Sequence, residues 1–285
     1  MTVAGFLLIA LGVAGVQVLR TSPVASGVAA YEVPTSSERQ AATTTTVPDR
    51  NPFADPAILS YLSSRQGDVT AAVFDVSTGK TYVYRPHVRQ VTASMVKIDL
   101  VAALLVQAQN EHRSLSAAEQ DAAKAMIEAS DNKSAQKMFK EVGDRDGLAK
   151  FNATLGMSET LGSWGWGLTA TTPADQLELL KHIALPSAIL SNESQLFERN
   201  LMEHVVDSER FGIPVGVPAD ATIGVKNGWY NEHDTGWQIN SAGYVHSGNT
   251  FYLACVMTSG SPTQTYGTET TSNFGRLLYS YLAQA

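Results

Sequence analysis

The sequence is poor in cysteine and in charge, and both shortages narrow the range of possible functions. Cys255 is the single cysteine among 285 residues, which excludes an intrachain disulfide, a cysteine-based zinc site and an iron–sulfur cluster. Charged residues make up 16% of the chain, and 27 acidic against 20 basic residues give a net charge of −7. A nucleic-acid-binding surface needs a clustered excess of cations, so we expect no nucleic-acid partner.

Only the N-terminus carries a long apolar run. Residues 2–19 contain no charged side chain, and about 18 apolar residues is the lower limit for spanning a bilayer. We interpret residues 1–20 as a signal peptide or signal anchor. The protein is then exported, and it is either secreted or tethered in the cell envelope by this segment alone.

The segment that follows has the composition of a linker. Residues 21–52 contain four consecutive threonines and four prolines, and they offer too little apolar surface to offset the entropy cost of ordering the chain. We predict a flexible linker here. The folded domain is expected at residues 53–285, as a monomer.

The order of the predicted elements indicates an α+β fold. Two strands precede a block of helices, and three strands and a final helix follow it. This order is typical of an antiparallel sheet, flanked by helices, into which an all-helical lobe is inserted. The strands are expected at residues 69–76, 81–84, 223–229, 236–245 and 250–258, and the helices at 94–107, 116–129, from about 134, 174–183 and 269–282.

A serine and a lysine three residues apart form the first motif with possible chemistry. On a helix this spacing places Ser94 and Lys97 on one face. A lysine with a lowered pKa can take the proton of a serine and make it a nucleophile. Such a pair also occurs on exposed helix surfaces, but Lys97 lies in an otherwise apolar helix, and a buried lysine needs a compensating partner.

Two further motifs follow along the chain. Ser-Asp-Asn at residues 130–132 lies between two predicted helices and by itself is typical of a helix-capping turn. Lys-Asn-Gly-Trp at residues 226–229 lies on a predicted strand, where the glycine lets a substrate backbone approach the strand edge.

In this order the three motifs resemble those of the serine β-lactamase and penicillin-binding-protein superfamily. The chain is most similar to class A β-lactamase-like serine hydrolases of actinobacterial type. The resemblance extends from about residue 57 to residue 282, and it includes Thr-Thr-Pro-Ala-Asp at residues 171–175, which is similar to the helix start after the class A omega loop. It implies the fold described above, with the active site between the two lobes.

The resemblance also implies four catalytic residues. Ser94 would be the acylated nucleophile and Lys97 its base. Ser130 would pass a proton to the leaving nitrogen, and Lys226 would hold the Ser130 hydroxyl and the substrate carboxylate electrostatically. Asp131 would be a structural residue of its turn.

Four residues are implied in substrate binding. Asn132 would bind the acyl-amide side chain of the substrate, and the backbone N–H groups of Ser94 and Trp229 would form the oxyanion hole. Asn227 and Gly228 would complete the binding strand. The family has a hydroxyl at the position of Asn227 that contacts a substrate carboxylate. Its loss predicts a reduced affinity for penicillins, although the Asn227 amide can still donate.

One departure from the class A pattern concerns deacylation. Class A enzymes carry an omega-loop glutamate that activates the deacylating water, whereas residues 161–168 here contain no carboxylate. We therefore expect a long-lived acyl-enzyme, because general-base assistance is worth roughly 10²–10⁴-fold. Glu232, His233 and Asp234 follow the third motif and are either a polar hairpin loop or the source of a substitute base. A carbamylated Lys97 is another possible base.

Three other features of the sequence predict details of the cleft and the core. The stretch between Lys97 and Ser130 is shorter than in class A enzymes, which predicts a more open rim of the cleft. Trp164 and Trp166 are expected to pack the short loop against the helical lobe or, alternatively, to line the cleft. Cys255 is expected to be an inert core residue.

The sequence therefore predicts a serine hydrolase that acts on amide or ester substrates, β-lactam or cell-wall peptide-like, through a Ser94 acyl-enzyme with slow deacylation. Two alternatives are kept: a true β-lactamase with a substitute base, and a non-catalytic penicillin-binding or scaffold protein of the same fold. The six histidines show no metal-ligand spacing, so we expect no metal and no organic cofactor. β-Lactams are expected to acylate the site.

Overall fold

The structure, a computed structural model, describes residues 49–232 and 235–284, with Glu232 described by its backbone alone. The predicted signal segment and most of the predicted linker lie outside these residues, as do His233 and Asp234. Within the described part of the chain, no helix is both long enough and apolar enough to cross a membrane.

The last residues of the predicted linker contact the folded domain. Asp49 accepts hydrogen bonds from Lys80 Nζ at 3.3 Å and from Tyr82 Oη at 2.9 Å. Arg50 donates to Ser77 Oγ at 2.9 Å and to the carbonyl oxygen of Leu282. These bonds join the chain segment ahead of residue 53 to the first hairpin and to the C-terminal helix.

A five-stranded antiparallel sheet forms one half of the architecture, in the order β2-β1-β7-β6-β5. The N-terminal hairpin pairs with the C-terminal strands through β1 and β7, with Val73 opposite Ala254. The prediction that the two ends of the chain meet in one antiparallel sheet is confirmed. The strands are β1 (Asp68–Asp75), β2 (Lys80–Tyr84), β5 (Thr222–Glu232), β6 (Gly236–Ser247) and β7 (Thr250–Ser261), and a separate two-stranded ribbon pairs β3 (Gln90–Val91) with β4 (Ala170–Thr171).

Both faces of the sheet are covered, so its central strands are apolar on both sides. Ala71 and Val73 of β1 face a core built with helices α1 (Pro56–Ser63) and α8 (Gln264–Gln284). Ala72 points the other way, into the larger core of the helical lobe, because successive strand residues alternate between faces.

The helical lobe is inserted between β2 and β5 and surrounds α2, which is buried along most of its length, as its apolar composition predicts. The lobe places the N-terminus of α2 beside the β5 edge of the sheet, and the candidate site lies there. Its helices are α2 (Lys97–Asn110), α3 (Ala117–Glu128), α4 (Asn132–Glu141), α5 (Asp144–Thr154), α6 (Pro173–Ala184) and α7 (Asn192–Glu203).

Helix ends with local signals agree closely with their predicted positions. Ser116 and Glu119 form the predicted capping box of α3, and Thr172 caps α6, which begins at Pro173. Helix α8 begins at Gln264, five residues before the predicted start. Helices α1, α5 and α7 were not predicted: α1 is only eight residues long, and polar residues dominate α5 and α7.

Candidate active site

The candidate nucleophile lies in a strained turn at the start of α2. Ser94 belongs to a 3₁₀ turn, Ala93–Val96, and not to the α-helix predicted there, which begins at Lys97. Side chains three residues apart are eclipsed in a 3₁₀ turn, so Ser94 and Lys97 still share one face. Ala93 has a φ of 48°, a left-handed conformation that is strained for a residue with a side chain.

The fully buried Asn240 of β6 holds this turn in place. Its Nδ2 donates to the carbonyl oxygens of Val91 at 2.8 Å and Thr92 at 3.0 Å, and its Oδ1 accepts from the Thr258 N–H at 3.3 Å. The sheet therefore positions the chain immediately before Ser94. No sequence motif pointed to Asn240, because its partners are about 150 residues away along the chain.

Lys97 is completely buried and hydrogen-bonded to the second motif. Its Nζ donates to the Ser130 carbonyl oxygen at 2.5 Å, to Ser130 Oγ at 3.1 Å and to Asn132 Oδ1 at 2.9 Å. Burial, followed by the nearby charge of Lys226, lowers the pKa of Lys97 to about 7. A substantial fraction of Lys97 is therefore a neutral amine near pH 7, the form that accepts a proton.

The Ser94 hydroxyl is not bonded to that amine in this structure. Among the hydrogen bonds of the described residues, none involves Ser94 Oγ, so the hydroxyl is free towards the cleft. Catalytic contacts are often loose without a substrate. The predicted proximity of Ser94 and Lys97 is present, but the hydrogen bond between them is not formed.

The Ser130 hydroxyl lies between two lysines. Lys226, on β5, donates to Ser130 Oγ at 3.1 Å and to the Asn227 carbonyl oxygen at 3.1 Å. Its side chain is fully buried, and burial lowers the pKa of Lys226 to about 8. Ser130 itself has a φ of 57°. Both lysines thus contact the oxygen atom that the sequence analysis assigned to proton transfer.

The neighbouring residues of the second motif have separate roles. Asp131 accepts a hydrogen bond from the Ser134 N–H at 2.7 Å and caps α4, which agrees with the structural role expected for it. Asn132 is the first residue of α4 and is exposed in the cleft, where its Oδ1 accepts the bond from Lys97.

Gly228 allows strand β5 to touch the nucleophile turn. A Cβ atom at this position would lie 2.7 Å from the Ser94 nitrogen, 2.6 Å from the Met95 nitrogen and 2.6 Å from the Thr92 carbonyl oxygen. All three atoms belong to backbone, so no side chain can move aside to make room. The glycine therefore brings the backbone of Trp229 next to that of Ser94, as a shared oxyanion hole requires.

Asn227 differs from its predicted role. Its Nδ2 donates to the carbonyl oxygens of Glu209 at 2.7 Å and Phe211 at 2.9 Å, so both N–H groups of the amide are occupied. The side chain is also fully buried. The amide therefore anchors the chain segment around Glu209, and neither of its N–H groups is left for a substrate carboxylate.

The two tryptophans of the 161–168 loop occupy different environments. The ring of Trp166 lies 5.0 Å from Lys97 Nζ and lines the cleft. Trp164 is 68% exposed, and the Arg145 guanidinium stacks on its ring at 4.2 Å. Arg145 belongs to α5, and Trp166 packs against the core of the helical lobe. Both rings therefore contact the helical lobe, as expected, and Trp166 in addition lines the cleft.

No carboxylate among the described residues forms a hydrogen bond or ion pair with Ser94 or Lys97. Glu159, just before the loop, is held elsewhere: its Oε1 lies 3.0 Å from His87 Nδ1 and its carbonyl oxygen accepts from Arg89. The candidate substitutes at residues 232–234 lie outside the described side chains. At Lys97 the 161–168 loop contributes the indole ring of Trp166 instead of a carboxylate.

A cavity of about 250 Å³ opens beside the nucleophile. None of its lining residues carries a charge, and aromatic rings make up much of its wall. It is lined by Ala93, Ser94, Asn132, Gly165, Trp166, Gly167, Leu168, Trp229 and Tyr230. Within the described part of the chain, no group of three or more histidine, cysteine, aspartate or glutamate residues could hold a metal ion.

Sequence reasoning missed one ionisable residue of the site, Glu209. Its Oε2 lies 3.9 Å from Lys226 Nζ, and the residue is almost completely buried. Glu209 stands 17 positions before Lys226 in an irregular segment, and no motif or periodicity marked it. Cys255, by contrast, is fully buried with its Sγ 3.9 Å from Met95 Sδ, which agrees with the predicted core role.

Comparison with solved structures identifies the fold. A β-lactamase from Chitinophaga pinensis superimposes with a TM-score of 0.72 at 18% identity, over 79% of this chain and 97% of that one. A class A β-lactamase from Bacteroides cellulosilyticus gives 0.73 at 18% identity, over 83% and 100%. The TLA-1 extended-spectrum β-lactamase gives 0.70 at 19% identity, over 79% and 96%. The chain therefore has the class A β-lactamase fold, as predicted.

The family assignment comes from the sequence itself. No curated protein matches the chain, but the family model described as the β-lactamase enzyme family matches residues 118–282. The match covers more than half of the chain and includes Ser130 and Lys226, while Ser94 and Lys97 precede it. Together with the fold, this match shows that the chain belongs to the β-lactamase enzyme family and is a serine β-lactamase-like hydrolase.

Proposed function

We propose that the protein is a serine hydrolase that is acylated on Ser94 by amide or ester substrates and releases the acyl group slowly. One observation carries this proposal. Lys97, which directly follows the turn of Ser94, shares the Ser130 hydroxyl with a second buried lysine, whereas the 161–168 loop brings an indole ring, and no described carboxylate, against Lys97.

In the acylation step, Ser94 Oγ attacks the carbonyl carbon of the substrate and its proton passes to the neutral amine of Lys97. The Oγ–C bond forms, and the carbonyl oxygen gains the negative charge that the backbone N–H groups of Ser94 and Trp229 stabilise. As the C–N bond breaks, Ser130 Oγ gives its proton to the leaving nitrogen. The proton on Lys97 then returns to Ser130 across the 3.1 Å contact between them.

Deacylation requires a water molecule that loses a proton as it attacks the ester. The Trp166 indole offers a donor and no acceptor, so it cannot take that proton. Lys97 is the remaining base, and its hydrogen bonds run towards Ser130 and Asn132. Loss of general-base assistance lowers a rate by roughly 10²–10⁴-fold, so the acyl-enzyme accumulates.

The cavity indicates the kind of acyl group that fits. Its uncharged, aromatic wall favours an apolar or aromatic acyl side chain, and Asn132 lies at its edge to bind an amide. β-Lactams and cell-wall peptide-like amides or esters remain the proposed substrates. The apolar N-terminal segment supports a location outside the cytoplasmic membrane, where such substrates occur.

The test is intact-mass spectrometry of the purified protein mixed with benzylpenicillin and followed for hours. We expect one covalent equivalent that persists, and no adduct on Ser94→Ala. Ser114→Ala, a change at an exposed serine after α2, serves as the control and should acylate normally.

Two other outcomes would contradict the proposal in different ways. Consumption of penicillin without a lasting adduct would mean fast deacylation, and thus a working β-lactamase whose base comes from residues 232–234 or from a carbamylated Lys97. Neither adduct nor consumption, for benzylpenicillin and for an aromatic thioester, would favour a non-catalytic protein of this fold.

A further inference from the structure

The buried carboxylate of Glu209 has no role in the mechanism above, yet it lies against its central lysine. Glu209 Oε2 is 3.9 Å from Lys226 Nζ and has no hydrogen-bond partner. A lysine ammonium carries three donors, and Ser130 Oγ and the Asn227 carbonyl oxygen take two of them. Glu209 is the carboxylate that faces the same ammonium group.

The protein holds this carboxylate in place with specific contacts. The Asn227 amide binds the carbonyl oxygens on both sides of Arg210, those of Glu209 and Phe211. At the start of the segment, the Val206 N–H donates to the carbonyl oxygen of Glu128 at 3.0 Å, two residues before Ser130. The segment that carries Glu209 is thus tied to the strand of Lys226 and to the turn of Ser130.

We propose that Glu209 is a positioning residue that keeps Lys226 positively charged, so that Lys226 can hold the Ser130 hydroxyl while Lys97 serves as the neutral base. This inference rests on the proposed function, since it assigns a role in the acylation of Ser94. The reason lies in the balance of charge around Ser130. Two buried lysines share Ser130 Oγ, and two adjacent ammonium groups repel each other. One negative charge placed nearer to Lys226 favours the proton on that lysine.

The charged groups around the two lysines are few. Lys226 faces Glu209 from the 3₁₀ turn Asp207–Glu209 and faces Lys97 of α2 across Ser130. Asp131, in the turn after α3, acts on Lys97. Glu209 raises the pKa of both lysines, and among the described residues it is the charged group that acts on the pKa of Lys226.

The test is the pH dependence of the acylation rate, measured by quenched intact-mass spectrometry with benzylpenicillin between pH 5.5 and 9. In the unmodified protein the rate should rise through pH 7 as Lys97 loses its proton, and fall above pH 8 as Lys226 loses its own. An opposite charge within 4–6 Å shifts a pKa by about 1–3 units. In Glu209→Gln the alkaline limb of the pH–rate profile should therefore move to lower pH by about one pH unit or more. The maximum acylation rate should fall about two- to tenfold.

Matched variants separate this effect from a change in folding. Glu269→Gln removes an exposed carboxylate that lines the same outer groove as Glu209, and its profile should match that of the unmodified protein. Glu209→Asp keeps the negative charge and moves it away from Lys226 by one methylene group. The alkaline limb of its pH–rate profile should therefore lie between those of the unmodified protein and Glu209→Gln. If the Gln variant does not fold, the Asp variant carries the test.

The outcomes distinguish this inference from the proposed function. If the unmodified protein is never acylated, the proposed function fails and with it the role of Glu209. If it is acylated, but Glu209→Gln or Glu209→Asp gives a profile that superimposes on the original, the proposed function stands and the inference is overturned. A lower rate with an unmoved alkaline limb would also overturn it, because that result indicates a purely structural role.

Discussion

Replacing Asp99 by asparagine should make the protein more stable at neutral pH. Asp99 lies in the first turn of α2 and is completely buried, as is Glu198 of α7. Neither carboxyl group forms an ion pair among the described residues, and the amides of Gln176 and Asn152 offset the burial of Asp99 only in part. Burial without a cation strongly disfavours the charged form of a carboxyl group, so the folded protein holds these groups protonated where the unfolded chain would ionise them.

The size of the effect follows from the pKa of Asp99. Burial raises this pKa from 3.8 to about 7, and each unit corresponds to about 1.4 kcal/mol. Between pH 4 and pH 7 the folded state binds more protons than the unfolded state, so the free energy of unfolding falls as the pH rises. Asp99 alone accounts for a fall of about 4 kcal/mol across this window. Burial and the charge of Asp99 raise the pKa of Glu198 as well, which adds a loss in the same direction.

The assay is urea denaturation at pH 5, 6, 7 and 8 of the unmodified protein, of Asp99→Asn and of a control, Asp121→Asn, which changes an exposed residue of α3. An amide has the shape of the protonated acid and does not ionise. We expect the stability gain of Asp99→Asn to grow from about 1.5 kcal/mol at pH 5 to about 4 kcal/mol at pH 8. The control should show no such trend.

A pH-independent difference between Asp99→Asn and the unmodified protein would refute this reasoning. So would a loss of stability that is greatest at pH 8, since that result would mean that the carboxylate is charged and favourably paired in the folded protein. Because both proteins contain the same histidines and surface acids, titration of those groups cancels in the difference.

Three further predictions concern single contacts. Gly228→Ala should slow acylation of Ser94 at least about 100-fold by separating the oxyanion donors; a rate within threefold of normal, measured by mass spectrometry, would contradict the close approach of β5. Asn240→Ala should lower the free energy of unfolding by about 1–3 kcal/mol, because two buried carbonyl groups lose their donor; a urea midpoint equal to that of the unmodified protein would argue against it. Ser116→Ala should cost about 1 kcal/mol through loss of the α3 cap, while Ser114→Ala should be neutral in the same assay.

Much of the fold could be predicted because its signals are local. The capping residues Ser116 and Thr172 mark helix starts within a few positions of the chain, and the alternation of apolar residues marks the strands. The pairing of β1 with β7 follows from the order of the elements. Helices α5 and α7 escaped prediction because both are rich in polar residues, and the lobe stabilises them by contacts from distant parts of the chain.

The residues of the candidate site also divide into those that local sequence marks and those that distant contacts place. The motif residues Ser94, Lys97, Ser130 and Lys226 could be found by spacing and order, and the structure brings them together. The direction of the Asn227 side chain could not be found, because a strand residue faces whichever side the packing across it demands. Glu209 could not be found either, since an irregular segment places it beside Lys226.

The 161–168 loop without a carboxylate and Asn227 of the third motif both affect where negative charge lies in the site. The loop at residues 161–168 contains no carboxylate, and its Trp166 ring lies 5.0 Å from Lys97 Nζ. Asn227, which replaces a hydroxyl of the usual motif, anchors the segment that supplies Glu209 on the Lys226 side. In the proposed mechanism, a carboxylate at Lys226 supports proton delivery through Ser130 during acylation, whereas deacylation needs a base for the attacking water. We therefore expect the acyl-enzyme to form faster than it is hydrolysed, and we expect a carboxylate introduced on the 161–168 loop to speed its hydrolysis.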